Sequence, residues 1–239
     1  MEILRFLLGV LLPYAAVAVF LAGISYRIYT WKKLASPAMT LFPSPPTEAA
    51  NRRNAVAEAL LFRSLFRGDR VLWVMAWSFH AVLALILVGH LRVLANVDAV
   101  LLRLGMTEPE IQAMSGGTGG AAGIVIAVTA LLLLLRRAAV PRVREISGLA
   151  DYSILLPIAA ILTTGNPMRF GAEHFDLGLT RAYFAALAGF SGAGRLAALD
   201  NGLFLIHMSL AFALIALMPF SKLLHLGGIF FTHQLVRKH

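Results

Sequence analysis

Four histidines, His80, His90, His207 and His225, fall within two apolar stretches of the chain, ten residues apart in the first and eighteen in the second. An imidazole surrounded by hydrocarbon costs free energy unless it is hydrogen-bonded, faces a polar cavity or ligates something, so each is a site candidate. Paired imidazoles on two membrane helices are one way to hold haem iron from both faces. On a regular helix, ten residues rise about 15 Å and place His80 and His90 roughly 80° apart around the axis. Eighteen residues rise about 27 Å over nearly a whole number of turns, so His207 and His225 share a face. If the two helices run antiparallel, depth pairs His90 with His207 and His80 with His225. The rises differ by about 12 Å, to be absorbed by helix tilt and side-chain reach. Pro219, between His207 and His225, is expected to kink the axis and shorten their separation. Gly89, beside His90, removes bulk where a macrocycle would approach.

The elements that must position these residues are membrane helices. Of 239 residues, 59% are hydrophobic and 14% charged, and several apolar runs reach the roughly 20 residues that cross a bilayer. Hydropathy predicts five spans at about 4–28, 71–94, 119–135, 149–164 and 203–226, within a single membrane domain over 1–239. The first span reads as a retained helix, since Glu2 and Arg5 make no clear basic leader and no small-residue cleavage site follows. Of the 21 lysines and arginines, fifteen fall on inner segments and six on outer ones if the amino terminus is outside and the carboxyl terminus inside. The fold class expected is therefore an all-α integral membrane protein of five transmembrane helices.

The +9 net charge is then mostly topology, and no folded basic domain supports nucleic-acid binding. Cysteine is absent. This rules out cysteine-ligated iron–sulfur clusters, thiolate haem ligation, covalent CxxCH haem attachment and disulfides within the chain. The inner loop, 30–70, holds the proline-rich LFPSPPTEAA and then EALLFRSLFRGD, which predicts a short amphipathic helix with Leu60, Leu61, Leu65 and Phe66 on one side. That helix would lie on the bilayer or dock a partner. The outer loop, 165–201, is too apolar for a tether and is expected to fold over the outer helix ends.

A single intramembrane histidine has bland explanations: a helix-to-helix hydrogen bond, a proton-path residue or a cavity lining. Four in two helices, pairable by depth, favour two bis-histidine haems. A proton-coupled transporter would predict acidic residues near mid-membrane, where the chain offers only Asp151 close to one edge. A haem-free anchor for a soluble subunit leaves the histidines without a role. Arg92, Arg169 and Arg195 are candidates for haem propionate or quinone contacts, because guanidinium pairs with carboxylates bidentately, although each also suits an interfacial anchor. His174, in RFGAEHFD beside Glu173, is a candidate for handling quinol protons with Arg169; His233 and His239 read as solvated or packed residues.

Several stretches resemble the gamma subunit of respiratory nitrate reductase, a five-helix dihaem cytochrome b: LPYAAVAVFLAG, Gly89–His90, AMSGGTGG, LLLLLRRAAVPRVREISGLAD and LIHMSLAFALIALMPFSKLLH, the last ending at Pro219–His225. EALLFRSLFRGDRVLWVMAWSFH and NPMRFGAEHFD are more similar to the membrane cytochrome b of sulfite-reductase-associated (Dsr) and heterodisulfide-reductase-like redox complexes. Glu108 and Glu110 stand where the nitrate reductase subunit has lysines, so its type of quinol site does not carry over. The resemblance implies two haem b groups on the four histidines and a quinone or quinol substrate at the outer side. It also implies a cytoplasmic iron–sulfur partner, with further membrane or periplasmic subunits. The chain would be the electron-transfer subunit of a respiratory complex of the Dsr type in a bacterial or archaeal cytoplasmic membrane, with the nitrate reductase gamma subunit as the alternative.

Overall fold

The computed structural model describes residues 2–33, 48–171, 176–192 and 197–225, and the regular elements among them are all helical. In chain order they are α1 (Glu2–Lys33, with a π turn over Leu7–Leu11), α2 (Glu48–Leu61), α3 (Arg63–Gly68), α4 (Arg70–Leu94) and α5 (Val97–Arg103). There follow α6 (Glu108–Ala139), α7 (Pro141–Glu145), α8 (Leu149–Phe170), α9 (Leu177–Ala188) and α10 (Gly202–Leu217). Helices α1, α4, α6, α8 and the stretch Gly202–Phe220 are long and apolar enough to cross a membrane, which matches the five expected spans in number and order.

Their ends differ from the hydropathy reading where capping decides. Helix α6 begins at Glu108, well before Gly119, because Thr107 and Glu110 form a capping box: the Glu110 carboxylate accepts the Thr107 N–H at 2.8 Å. Glu110 is thus an end-cap. Helix α8 continues past Thr164 to Phe170 with Pro157 and Pro167 inside it. The fifth span, expected as one helix to Leu226, stops being α-helical at Leu217. It passes through a 3₁₀ turn at Met218–Phe220, an extended Ser221 and a second 3₁₀ turn at Lys222–Leu224. Pro219 therefore ends the helix and does not merely kink it, so the shared-face geometry expected for His207 and His225 does not apply.

The spans form an arc in which α4 packs on α6, α6 on α8, α8 on α10 and α10 on α1. The two histidine-bearing spans, α4 and α10, are joined through α6 and α8, which pack on one another. Phe79, Ile126, Ala130 and Ile158 form one buried cluster there, with Leu214 of α10 packed against it. Among lipid tails no hydrophobic drive separates helix from helix, so close packing and polar clips must join them.

Such clips gather at two ends. At the lysine- and arginine-rich end, the Arg136–Asp69 pair (3.0 Å) joins α6 to the start of α4. There too Asp151 receives both Arg137 (3.3 Å) and Lys222 (2.9 Å), and Arg27 Nε donates to the Pro219 carbonyl at 2.9 Å. At the far end, Arg5 pairs with Asp200, and Asp98 holds both Arg92 (2.7 Å) and Arg181 (2.8 Å). Helix α9 and the turn Ala197–Asp200 fold onto this far end. Tyr183, Leu187, Leu199, Phe204 and Met208 form a second core there, and the Tyr183 hydroxyl donates to the Gly9 carbonyl at 2.6 Å. The segment expected as one amphipathic helix is instead two, α2 and α3, broken at Phe62; the proline-rich LFPSPPT stretch lies outside the described residues.

Candidate functional site

The four histidines meet as two pairs, one near each end of the bundle. His90 and His207 have ring centres 6.4 Å apart with planes 15° from parallel. His80 and His225 have ring centres 6.0 Å apart with planes 83° apart. These are the partners that depth alone suggested. An imidazole nitrogen binds a transition metal at about 2 Å and lies about 1 Å from its ring centre, so imidazoles on opposite faces of one metal have centres about 6 Å apart.

Each ring is oriented by its Nδ1. His80 Nδ1 donates to the Ala76 carbonyl at 2.7 Å and His90 Nδ1 to the Ile86 carbonyl at 2.7 Å, both one helical turn back. His225 Nδ1 donates to the Lys222 carbonyl at 2.8 Å. His207 Nδ1 lies 3.1 Å from the Ile161 carbonyl and 3.0 Å from the Thr164 hydroxyl, both on α8. A carbonyl only accepts, so Nδ1 carries the proton in each neutral ring and Nε2 keeps its lone pair. None of the four Nε2 atoms takes part in a hydrogen bond among the described residues. This is the tautomer that metal-bound histidine adopts, with the second nitrogen fixed by an outer acceptor.

The donor set has a further meaning. Among the described residues no group of three or more His, Asp or Glu side chains gathers as a metal cage. Each pair of imidazoles would hold a group that brings its own remaining donors, as a porphyrin does, and that group would supply one-electron chemistry there. The residues present therefore fit haem at both pairs.

The sequence around each histidine explains its placement. In PFSKLLH, Pro219 stops α10 and its carbonyl is held by Arg27, while the Ser221 hydroxyl accepts the Leu223 N–H at 3.2 Å and starts the second turn. Lys222 anchors to Asp151, and its carbonyl orients His225. For the other pair, Gly165 makes room: a Cβ there would lie 3.0 Å from His207 Cε1, so the ring would have to give way. Gly89 is not required by the protein itself, since a Cβ there meets nothing within 4 Å.

Sequence reading missed Ile161, Thr164 and Gly165. Their signal in the sequence is TTG, two hydroxyls and a glycine inside an apolar helix. It also missed the two phenylalanines against His80: Phe62 at 5.1 Å and Phe79 at 5.4 Å, both edge-on.

The arginines divide. Arg169 Nη2 donates to the Ser115 carbonyl at 2.8 Å and occupies the space over Gly119, where a Cβ would overlap it. Asn166 Nδ2 likewise reaches the Gly123 carbonyl at 3.2 Å. The glycines of AMSGGTGG and the following turn thus seat the polar end of α8. Arg92 Nε is committed to Asp98, whose carboxyl is held below the usual range by that hydrogen bond and then by Arg181, while Arg92 Nη2 is buried with no hydrogen-bond partner among the described residues. Glu173, His174 and Arg195 lie outside the described residues.

Residues 63–238 match the family model described as nitrate reductase gamma subunit. The chain is also similar to the Hdr-like menaquinol oxidoreductase cytochrome b-like subunit of Archaeoglobus fulgidus, 31% identical over 94% of this chain and 77% of the relative. The protein so named in Archaeoglobus profundus is 29% identical over 92% of this chain and 76% of its own length.

Proposed function

The chain belongs to the nitrate reductase gamma subunit family, and on that premise we propose that it is a dihaem b membrane subunit exchanging electrons between menaquinol and a redox partner. The observation that carries this reading is the set of four Nε2 lone pairs, two facing pairs of imidazoles with ring centres 6.4 and 6.0 Å apart and every Nδ1 tied to a carbonyl. Haem bound at the two pairs supplies reversible one-electron chemistry. The chain's own part is to hold the imidazoles neutral, fix their planes and keep the two sites at opposite ends of the bundle. Nothing among the described residues asks for a transporter's mid-membrane acid, since Asp151 is consumed by Arg137 and Lys222.

The basic end, with His80 and His225, is assigned to the cytoplasmic side and the far end, with His90 and His207, to the outside. On that orientation quinol reacts at the far end and a cytoplasmic iron–sulfur subunit of the heterodisulfide-reductase-like or Dsr type docks at the basic end. The names of the two archaeal relatives support a menaquinol-linked complex of the first kind. His174 and Glu173 remain the proposed quinone-side groups. Arg169, one Nη of which seats α8, stays a proposed quinone-side group with them, and the Nη2 of Arg92 is proposed to meet a haem propionate.

Purified protein, reduced with dithionite, tests this: b-type absorption bands and two haems per chain are expected, falling to one in His90→Ala and one in His225→Ala. A wild-type protein without b-type bands would end the cytochrome reading and leave the haem-free anchor or the proton-coupled transporter.

A further inference from the structure

Phe62 is a break in an otherwise helical segment, and its backbone sits in the left-handed region at φ 49°, ψ 48°. A side chain with a Cβ resists that conformation, so something must hold it there. Helices α2 and α3 are held from both sides. The Phe62 N–H still donates to the Glu58 carbonyl at 2.9 Å, and Glu58 Oε2 turns to accept the Ser64 N–H at 3.0 Å, capping α3. From α4, Trp73 Nε1 donates to the Leu61 carbonyl at 2.8 Å and Trp77 Nε1 to the Leu60 carbonyl at 3.0 Å. Phe66 closes the arrangement edge-on against Trp73.

The consequence of the break is where it sends the ring. Phe62 meets His80 edge-on, with centres 5.1 Å apart and planes 87° apart, so the residue before α3 covers one flank of the imidazole while Phe79 covers another. The His90–His207 pair has no such aromatic neighbour among the described residues. We propose that Phe62, clamped by the indole N–H groups of Trp73 and Trp77, is the positioning residue of the basic-end haem site: it fixes the plane of His80 and keeps water from it. The inference rests on the haem reading above. Water reaching a haem favours the more highly charged ferric state, so opening this flank lowers that haem's midpoint potential.

The test compares wild type with Phe62→Gly, which accepts the left-handed backbone while losing the ring, and with the double variant Trp73→Phe, Trp77→Phe, which keeps aromatic bulk but loses both donors. Expected are a downward shift in the midpoint potential of the haem on His80 and His225, a change in its ferric electron paramagnetic resonance signal, and no change at the other haem. The double variant should shift in the same direction by less. If the glycine variant keeps both haems with potential and signal unchanged, or if both haems shift equally, the proposal is overturned. If the glycine variant loses the haem, the double variant decides: a shift upholds the proposal and none overturns it. Absence of b-type bands in wild type would remove the haem reading itself.

Discussion

The two histidine pairs reach the same separation by different means. At the far end His207 is braced by another helix, through the Ile161 carbonyl, the Thr164 hydroxyl and the gap at Gly165, and the rings lie nearly parallel at 15°. At the basic end His225 leaves the helix altogether, is set by the Ser221–Leu224 turn, and meets His80 with planes crossed at 83°. The far-end pair is fixed by span-to-span packing, whereas the basic-end pair is fixed by turns and by a segment outside the spans. Packing against a rigid neighbour constrains a ring tightly, while turns and clamped segments respond to what binds near them.

The most disruptive way to break this comparison is to remove ligands. His207→Ala and His90→Ala should each abolish the same haem, and His80→Ala and His225→Ala the other, halving b-type absorbance each time; loss of the same haem in both His90→Ala and His225→Ala would show the pairing to be wrong. Next in size is Gly165→Val, which places carbon against His207 Cε1 and should cost about 1–3 kcal/mol of overpacking. Its expected readout is a displaced or lost far-end haem, with the basic-end spectrum intact.

Ser221→Ala should act on the opposite pair, weakening the turn before His225 by about 1 kcal/mol. A perturbed basic-end haem with an unchanged far-end haem, measured by potentiometric titration, checks it. The smallest effect expected is at the clip of Asp98 with Arg92 and Arg181. Because hydrogen bonding from Arg92 lowers the Asp98 pKa, its stabilisation is complete above the ordinary carboxylate range and is lost as pH falls through the lowered value. Acid unfolding of Asp98→Asn should therefore differ from wild type by less than about 1 kcal/mol near neutrality, and the difference should vanish at low pH.

Much of this was legible in the sequence, for physical reasons. Long apolar runs must become helices in a bilayer because every backbone N–H and C=O needs an internal partner, so the five spans and their order could be read directly. Pairing by depth needed only that the two helices run antiparallel. The end of α10 was not legible: whether a membrane helix resumes after a proline depends on what takes the carbonyls around it, and here the Pro219 carbonyl, which a continuing helix would bond to a later N–H, is taken by Arg27 from α1. The Phe62 break was also hidden, since it depends on two indole donors twelve and seventeen residues from the carbonyls they hold, Leu61 and Leu60. The seat of Arg169 was not legible either, because the Ser115 carbonyl and the space above Gly119 belong to a helix distant in sequence.

The crossed and parallel ring planes provide the most direct test of two distinct bis-histidine sites. Parallel imidazole planes split the two iron d orbitals of π symmetry and give an ordinary rhombic low-spin ferric signal, whereas crossed planes leave them nearly degenerate and push the largest g value to lower field. Electron paramagnetic resonance of the oxidised protein should show one signal of each kind, the rhombic one missing in His207→Ala and the low-field one missing in His225→Ala. A single low-spin signal, or none, would contradict the account.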